Sequence, residues 1–408
     1  MRARLGGAFF LYYGYVGASQ AYLAPYLRGL QFPGSAIGTV TMAAQLVAAP
    51  AALVWAHAAD RRAAREPVLR TCALGALLAI CWLPAVRSPL AIGGVLVAHS
   101  AFAAAVIPLL DSITMEWARA EASRSYARTR LFGSLGFVAV AQGLGAALSA
   151  RGERGADSLV PLAMVACVAG YAILLNLRRG SSEPQQSRVA ARSLTPAARS
   201  IFALLRNASV LSLFALCFIH WAACAPYHLL FGVLVRDHGL PSAITGAALS
   251  IGVLAELVAL WAFPVLLRRF DLPVLLAAAC AASALRWWLV SRAHAAAPLV
   301  LLQLFHAATF GLWWACAIEA MGRLVPVSAR ATGQALFSAL VFGAGNAIGY
   351  ELSGEAYQRF GSASPLFGLA GALELCTLPL CALAARHLAS TPGARADTDE
   401  GGAPPGSA

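Results

Sequence analysis

Between two long apolar stretches stands Arg178-Arg179-Gly180-Ser181-Ser182-Glu183-Pro184-Gln185-Gln186, the opening of a polar segment that runs to about residue 207. Upstream, apolar runs lie near 6–27, 35–56, 67–86, 90–116, 129–150 and 158–178. Downstream they lie near 208–235, 242–267, 272–291, 297–322, 331–353 and 364–388. Each is close to the roughly 20 residues a helix needs to cross the hydrocarbon of a bilayer. Six spans, a polar linker and six more spans predict an all-α polytopic membrane protein of 12 transmembrane helices in two six-helix pseudo-repeats. The expected divisions are a first bundle over 1–178, a cytoplasmic linker over 179–207, a second bundle over 208–388 and a disordered tail over 389–408.

Composition points the same way. The 408 residues are 60% hydrophobic and 12% charged, whereas soluble domains carry about 25% charged residues. That excludes a soluble enzyme, and so much apolar side chain excludes a disordered chain. A net charge of +12 raises the question of nucleic acid. Here the charge sits in loops between apolar spans, so the lipid bilayer is the expected partner and nucleic acid is not.

All 30 basic residues are Arg. With the N-terminus inside, 22 of them fall on the inner side and 7 on the outer, and Arg286 is left within the membrane. This positive-inside asymmetry predicts a multi-pass protein of a plasma membrane, the inner membrane of a bacterium, with both termini cytoplasmic. The loops hold no HExxH, GxSxG or Gly-rich phosphate motif, so no enzyme is expected. The 9 Cys fall in apolar spans, where Cys acts as a small buried hydrophobe. Neither a cofactor nor a metal is expected.

A charge at the bilayer centre costs about 2.5–3.5 kcal/mol on insertion scales and survives where it meets a cavity or a partner. Arg286 presents a planar fork that suits a carboxylate. It is expected to pair with Glu256 or with a substrate carboxylate, or else to lock two helices as a static ion pair. Glu256, near the middle of its span, is a candidate proton carrier or a helix–helix hydrogen-bonding group. His306 shares a helix face with Gln303 and Phe310 and titrates near neutrality when exposed. It is read as lining a cavity or as a satisfied interhelical histidine. Asp111 and Arg130, on spans 4 and 5, are read as a substrate or gating pair or as a structural one. Glu319 is a third coupling candidate, although its spacing from His306 sets it on a nearly opposite face. Glu374 and His220 read more simply as packing groups, His220 sharing its helix with Cys217 and Cys224.

Weak internal repetition supports two related halves. Ala59-Asp60-Arg61-Arg62 follows span 2, and Leu267-Arg268-Arg269-Phe270-Asp271 follows span 8. Longer motifs carry a resemblance. Tyr126-Ala127-Arg128-Thr129-Arg130-Leu131-Phe132-Gly133-Ser134-Leu135-Gly136-Phe137 resembles a segment of the lactose-permease-like branch of the major facilitator superfamily, its phenylpropionate-transporter-like members most closely. Pro108-Leu109-Leu110-Asp111, Leu254-Ala255-Glu256-Leu257, Leu285-Arg286-Trp287, Leu304-Phe305-His306 and Ser353-Gly354-Glu355-Ala356-Tyr357-Gln358-Arg359-Phe360-Gly361 are similar to segments of the same branch.

By that resemblance Arg130 and Asp111 hold substrate and Phe137 stacks on it, while Glu256, Arg286 and His306 bind substrate or couple protons. Asp60, Arg61 and Arg62 would lock the inner gate. Thr309 stands where the branch has its proton-carrying Glu, and Phe137 where it has a stacking Trp. The resemblance implies a substrate site between the halves near the midplane and alternating access. The function it implies is proton symport of a small organic solute by a monomer, an aromatic carboxylate such as a phenylpropionate. The alternatives are a nucleoside or oligosaccharide symporter, an efflux antiporter, and a non-transporting membrane sensor or scaffold.

Overall fold

The computed structural model describes residues 1–61, 65–121, 123–177, 201–326 and 329–389. Arg62, most of the linker and the tail from residue 390 lie outside the described residues. The described chain is helical, without strands. Ten helices are long and apolar enough to cross a membrane. They are α2 (Gly34–Arg61), α4 (Pro89–Arg119), α5 (Tyr126–Ala150), α6 (Leu159–Asn176), α7 (Ala208–Asp237), α8 (Ser242–Arg269), α9 (Leu272–Val290), α10 (Ala296–Leu324), α11 (Thr332–Phe360) and α12 (Ser364–Arg386). Two more, α1 (Arg2–Gly29) and α3 (Arg65–Ile80), stand where spans 1 and 3 are expected. The twelve places are therefore met by ten helices on length and hydropathy and by two on position. Of the expected linker, residues 201–206 are helical, and Leu204 is buried in the core of the second half.

Large apolar side chains such as Leu90, Leu78 and Trp261 project outward, as a lipid-facing surface requires. Inside, small residues let backbones touch. A Cβ at Gly136 of α5 would sit on the Phe10 carbonyl of α1, and one at Gly354 of α11 would lie 2.7 Å from the Gly38 nitrogen of α2. Gly143 of α5 does not join this packing: nothing lies within 4 Å of a Cβ there.

The halves meet where α2 packs on α11, α5 on α8 and α1 on α7. Most of the hydrogen bonds between them gather at one end, while Gln45 Nε2 of α2 donates to the Phe342 carbonyl of α11 at 3.1 Å farther along. Gly34 N–H donates to Gln358 Oε1 (2.7 Å), Arg236 donates to the Pro25 and Gly155 carbonyls (3.1 and 3.3 Å), and Glu153 accepts from Ser242 N–H and Oγ–H (2.7 and 2.5 Å). Beyond Gly252, α8 has no buried residue, and α2 has none between Val40 and Ala59. The halves thus touch at one end and part toward the other.

Candidate functional site

Helix α10 is the irregular element at the centre. It begins as an α-helix, tightens to a 3₁₀ turn over Leu302–Phe305 and widens to a π-helix over Ala307–Leu312. Such π segments cluster at functional sites because the extra residue re-aims the side chains around it. Two glycines let α8 and α10 close on each other. A Cβ at Gly252 would lie 3.1 Å from the His306 ring, and one at Gly311 would lie 3.0 Å from the Glu256 carbonyl.

These helices bring the predicted charges together, in an order that differs from the expected one. Arg286 does not pair with Glu256. Its Nη2 donates to Gln303 Oε1 at 2.6 Å and lies 3.4 Å from His306 Nδ1. On the far side of the ring, His306 Nε2 is 3.4 Å from Glu256 Oε2. The physical reason is positional: α10 supplies His306 between the residues of α9 and α8. Gln303 and Phe310 share a face with His306 as expected, the Phe310 ring centroid lying 4.1 Å from the imidazole.

Arg286 has 0% exposure. Its Nε and Nη1 have no hydrogen-bond partner among the described residues. The guanidinium carbon lies 4.6 Å from the Tyr227 ring, 4.4 Å from Trp287 and 5.7 Å from Phe310. Cation–π contacts of this kind contribute about 2 kcal/mol when desolvated. They soften the cost of a buried cation but do not satisfy its hydrogens. Glu256, at 33% side-chain exposure, is the member of the group open to solvent.

The first half contributes a second group. Asp111 Oδ1 accepts from Tyr126 Oη at 3.0 Å and faces Arg130 Nε at 3.8 Å. Arg130 donates to the Tyr13 hydroxyl and lies over the Tyr13 ring at 4.1 Å. Arg130 stands on α5 and Glu256 on α8, helices of opposite halves that pack on each other.

Three expected members stand apart. Phe137 is buried in the core beneath α1, where its carbonyl faces Gly17. Glu319 is half-buried near the end of α10 and pairs with Arg323 at 2.9 Å, one turn along the same helix. Asp60 and Arg61 are exposed at the end of α2, with no hydrogen bond or ion pair among the described residues. Tyr13, Tyr227 and Trp287 were missed: nothing in their own helices distinguishes them from other lipid-facing or core aromatics.

At the closed end, Glu153 lies in the loop after α5. Burial works against its ionisation, but hydrogen bonds from Ser149 and Ser242 outweigh it and hold the carboxyl below the usual range.

A model of the MFS_1-like family matches residues 3–368. A probable 3-phenylpropionic acid transporter of Escherichia coli (strain K12) is 25% identical over 272 residues, which cover 65% of this chain and 68% of that protein. Among solved structures, the nucleoside transporter NupG superposes with a TM-score of 0.80 at 16% identity, over 94% of this chain and 99% of its own. An auto-inhibited POT family peptide transporter superposes with a TM-score of 0.68 at 14% identity, over 94% and 96% of the two chains. At these identities the solved structures share the fold.

Proposed function

The chain belongs to the MFS_1-like family, a multi-pass membrane transporter and not an enzyme, and on that premise we propose that it carries an aromatic carboxylate by proton symport. The observation that carries the reading is the fully buried Arg286 guanidinium, with Nε and Nη1 unpartnered and three aromatic rings around it. A carboxylate offers that fork two acceptor oxygens in a planar, charge-assisted pair. An aryl group on the same molecule fits the Tyr227, Trp287 and Phe310 faces at offset or edge geometry. The name of the Escherichia coli relative, a probable 3-phenylpropionic acid transporter, supports the same substrate class.

Coupling follows from the order Arg286, His306, Glu256. A carboxylate that binds the guanidinium places negative charge beside His306. The imidazole then favours a proton, which Glu256 is placed to exchange with solvent. The proton and the substrate thus enter together, because each reduces the cost of burying the other. With the Arg asymmetry as guide to orientation, the closed end faces outward and the parted end faces the cytoplasm, a state for release after import. Rocking of the two six-helix bundles, divided at the 179–207 linker, would expose the site to the other side.

The test is uptake of ring-labelled 3-phenylpropionate into proteoliposomes with an imposed pH gradient, inside alkaline. Accumulation that collapses with a protonophore, and competition by other aryl carboxylates but not by nucleosides, is the expected result. Nucleoside competition without carboxylate competition would overturn it.

A further inference from the structure

A second cluster of ionisable side chains lies wholly inside the second half, away from the space between the halves. His220 of α7 and Glu374 of α12 meet at 2.7 Å, Nδ1 to Oε1, and both side chains have 0% exposure. Cys280 of α9 joins them: one ligand atom from each of the three residues lies within 4.8 Å of the others. Cys381, one helical face along α12, places its Sγ 3.9 Å from the Cys280 Sγ. The sequence groups His220 with Cys217 and Cys224 on its own helix. Of these, Cys224 Sγ lies 3.7 Å from His220 Nε2, and the structure adds partners from two distant helices, α9 and α12.

We propose that His220, Cys280 and Glu374, with Cys381 beside them, form a binding site for a single divalent transition metal of zinc type, tying α7, α9 and α12 into one body. Three features point to a metal rather than to packing. The donor set is imidazole, carboxylate and the Cys280 thiolate, which suits zinc. His220 Nε2 has the Thr309 carbonyl as acceptor at 3.0 Å, which fixes its hydrogen there and leaves the Nδ1 lone pair for the cluster. Metal-bound histidines are oriented by such an outer partner. Finally, Glu374 Oε2 is buried with no hydrogen-bond partner among the described residues.

Charge favours the exchange as well. Without metal, His220 and Glu374 share one proton and Cys280 keeps its own, and the group is neutral. A divalent ion that releases both protons and is bound by neutral imidazole, carboxylate and one thiolate leaves it neutral again. Among side chains this deeply buried, an uncompensated charge costs more than any single bond returns. To admit the ion, the His220–Glu374 contact opens by about half an ångström, since nitrogen and oxygen ligands on a tetrahedral zinc stand about 3.3 Å apart.

The test uses the full-length chain purified in detergent. Elemental analysis should find one zinc per chain that resists brief chelation. Cobalt(II) loaded into protein stripped of metal should give a thiolate-to-cobalt charge-transfer band in the near ultraviolet and tetrahedral bands in the visible. Cys280→Ser should abolish the charge-transfer band and weaken cobalt binding by more than about 100-fold, beyond the loss of an outer-shell contact. Cys72→Ser, in the first half, should leave both unchanged. Stripped wild-type protein that takes up cobalt with no sulfur band, or that takes up none, overturns the proposal and leaves the cluster as a buried ion pair. That readout needs no variant to fold, and no transport assay enters it, so its failure is distinct from failure of the carboxylate reading.

Discussion

Arg286 and His306 lie 3.4 Å apart, Nη2 to Nδ1, and no carboxylate touches the guanidinium among the described residues. A buried cation whose nearest polar partners are an amide and an imidazole is a site prepared for an anion. Arg286→Lys keeps the charge but loses the fork. The KM for 3-phenylpropionate should rise about 10- to 100-fold, the worth of one charge-assisted hydrogen-bond pair. An unchanged KM in the proteoliposome assay would remove Arg286 from the site.

Glu256→Gln should separate binding from coupling. Substrate exchange between labelled and unlabelled pools should survive, because Arg286 and its rings are intact. Accumulation driven by a pH gradient should be lost, the solute stopping at equal concentrations on both sides. If gradient-driven accumulation persists, the proton travels elsewhere.

The closed end should respond to acid with a defined sign. Glu153 has its carboxyl held low by the hydrogen bonds from Ser149 and Ser242. A depressed carboxyl contributes its stabilisation above the unfolded value, about 4.3, and loses it as the pH falls through the lower folded value. Spin labels on Gln31→Cys and Ser362→Cys, with the exposed Cys81 and Cys376 replaced by Ser, should therefore keep their short distance at pH 7. They should separate only on acidification below about 4.3. In Glu153→Gln the separation should no longer depend on pH.

Gly136→Leu and Gly354→Leu should fail in different ways. The first drives a side chain into the Phe10 backbone inside one half, and overpacking of this kind costs about 1–3 kcal/mol, read as a lower unfolding temperature in detergent. The second presses on Gly38 across the halves. It should spare that temperature and lengthen the label distance between positions 31 and 362.

Ten of the twelve expected spans were legible because bilayer thickness and hydropathy set them: 208–235 was expected and Ala208–Asp237 is observed. The charged residues that converge were legible for the same reason, since an intramembrane charge is rare. Their order was not. The π segment at Ala307–Leu312 adds a residue to the turn that α-helical spacing assumes, and a spacing rule cannot foresee it. Tyr13 joined the site through Arg130, 117 residues away in sequence. His220 found Glu374 at a separation of 154. Helical periodicity reports which face a residue occupies, not which distant helix that face will meet.

The backbone-to-backbone approach of α2 and α11 at Gly38 and Gly354 has a mechanical consequence. Bare main chain slides where interlocked side chains would have to be lifted out of register. The closed end therefore resists opening chiefly through a handful of polar latches, Glu153 with Ser242 and Arg236 with the Pro25 carbonyl among them. Tuning the turnover of this carrier should be a matter of editing those latches, with the small-residue track left untouched.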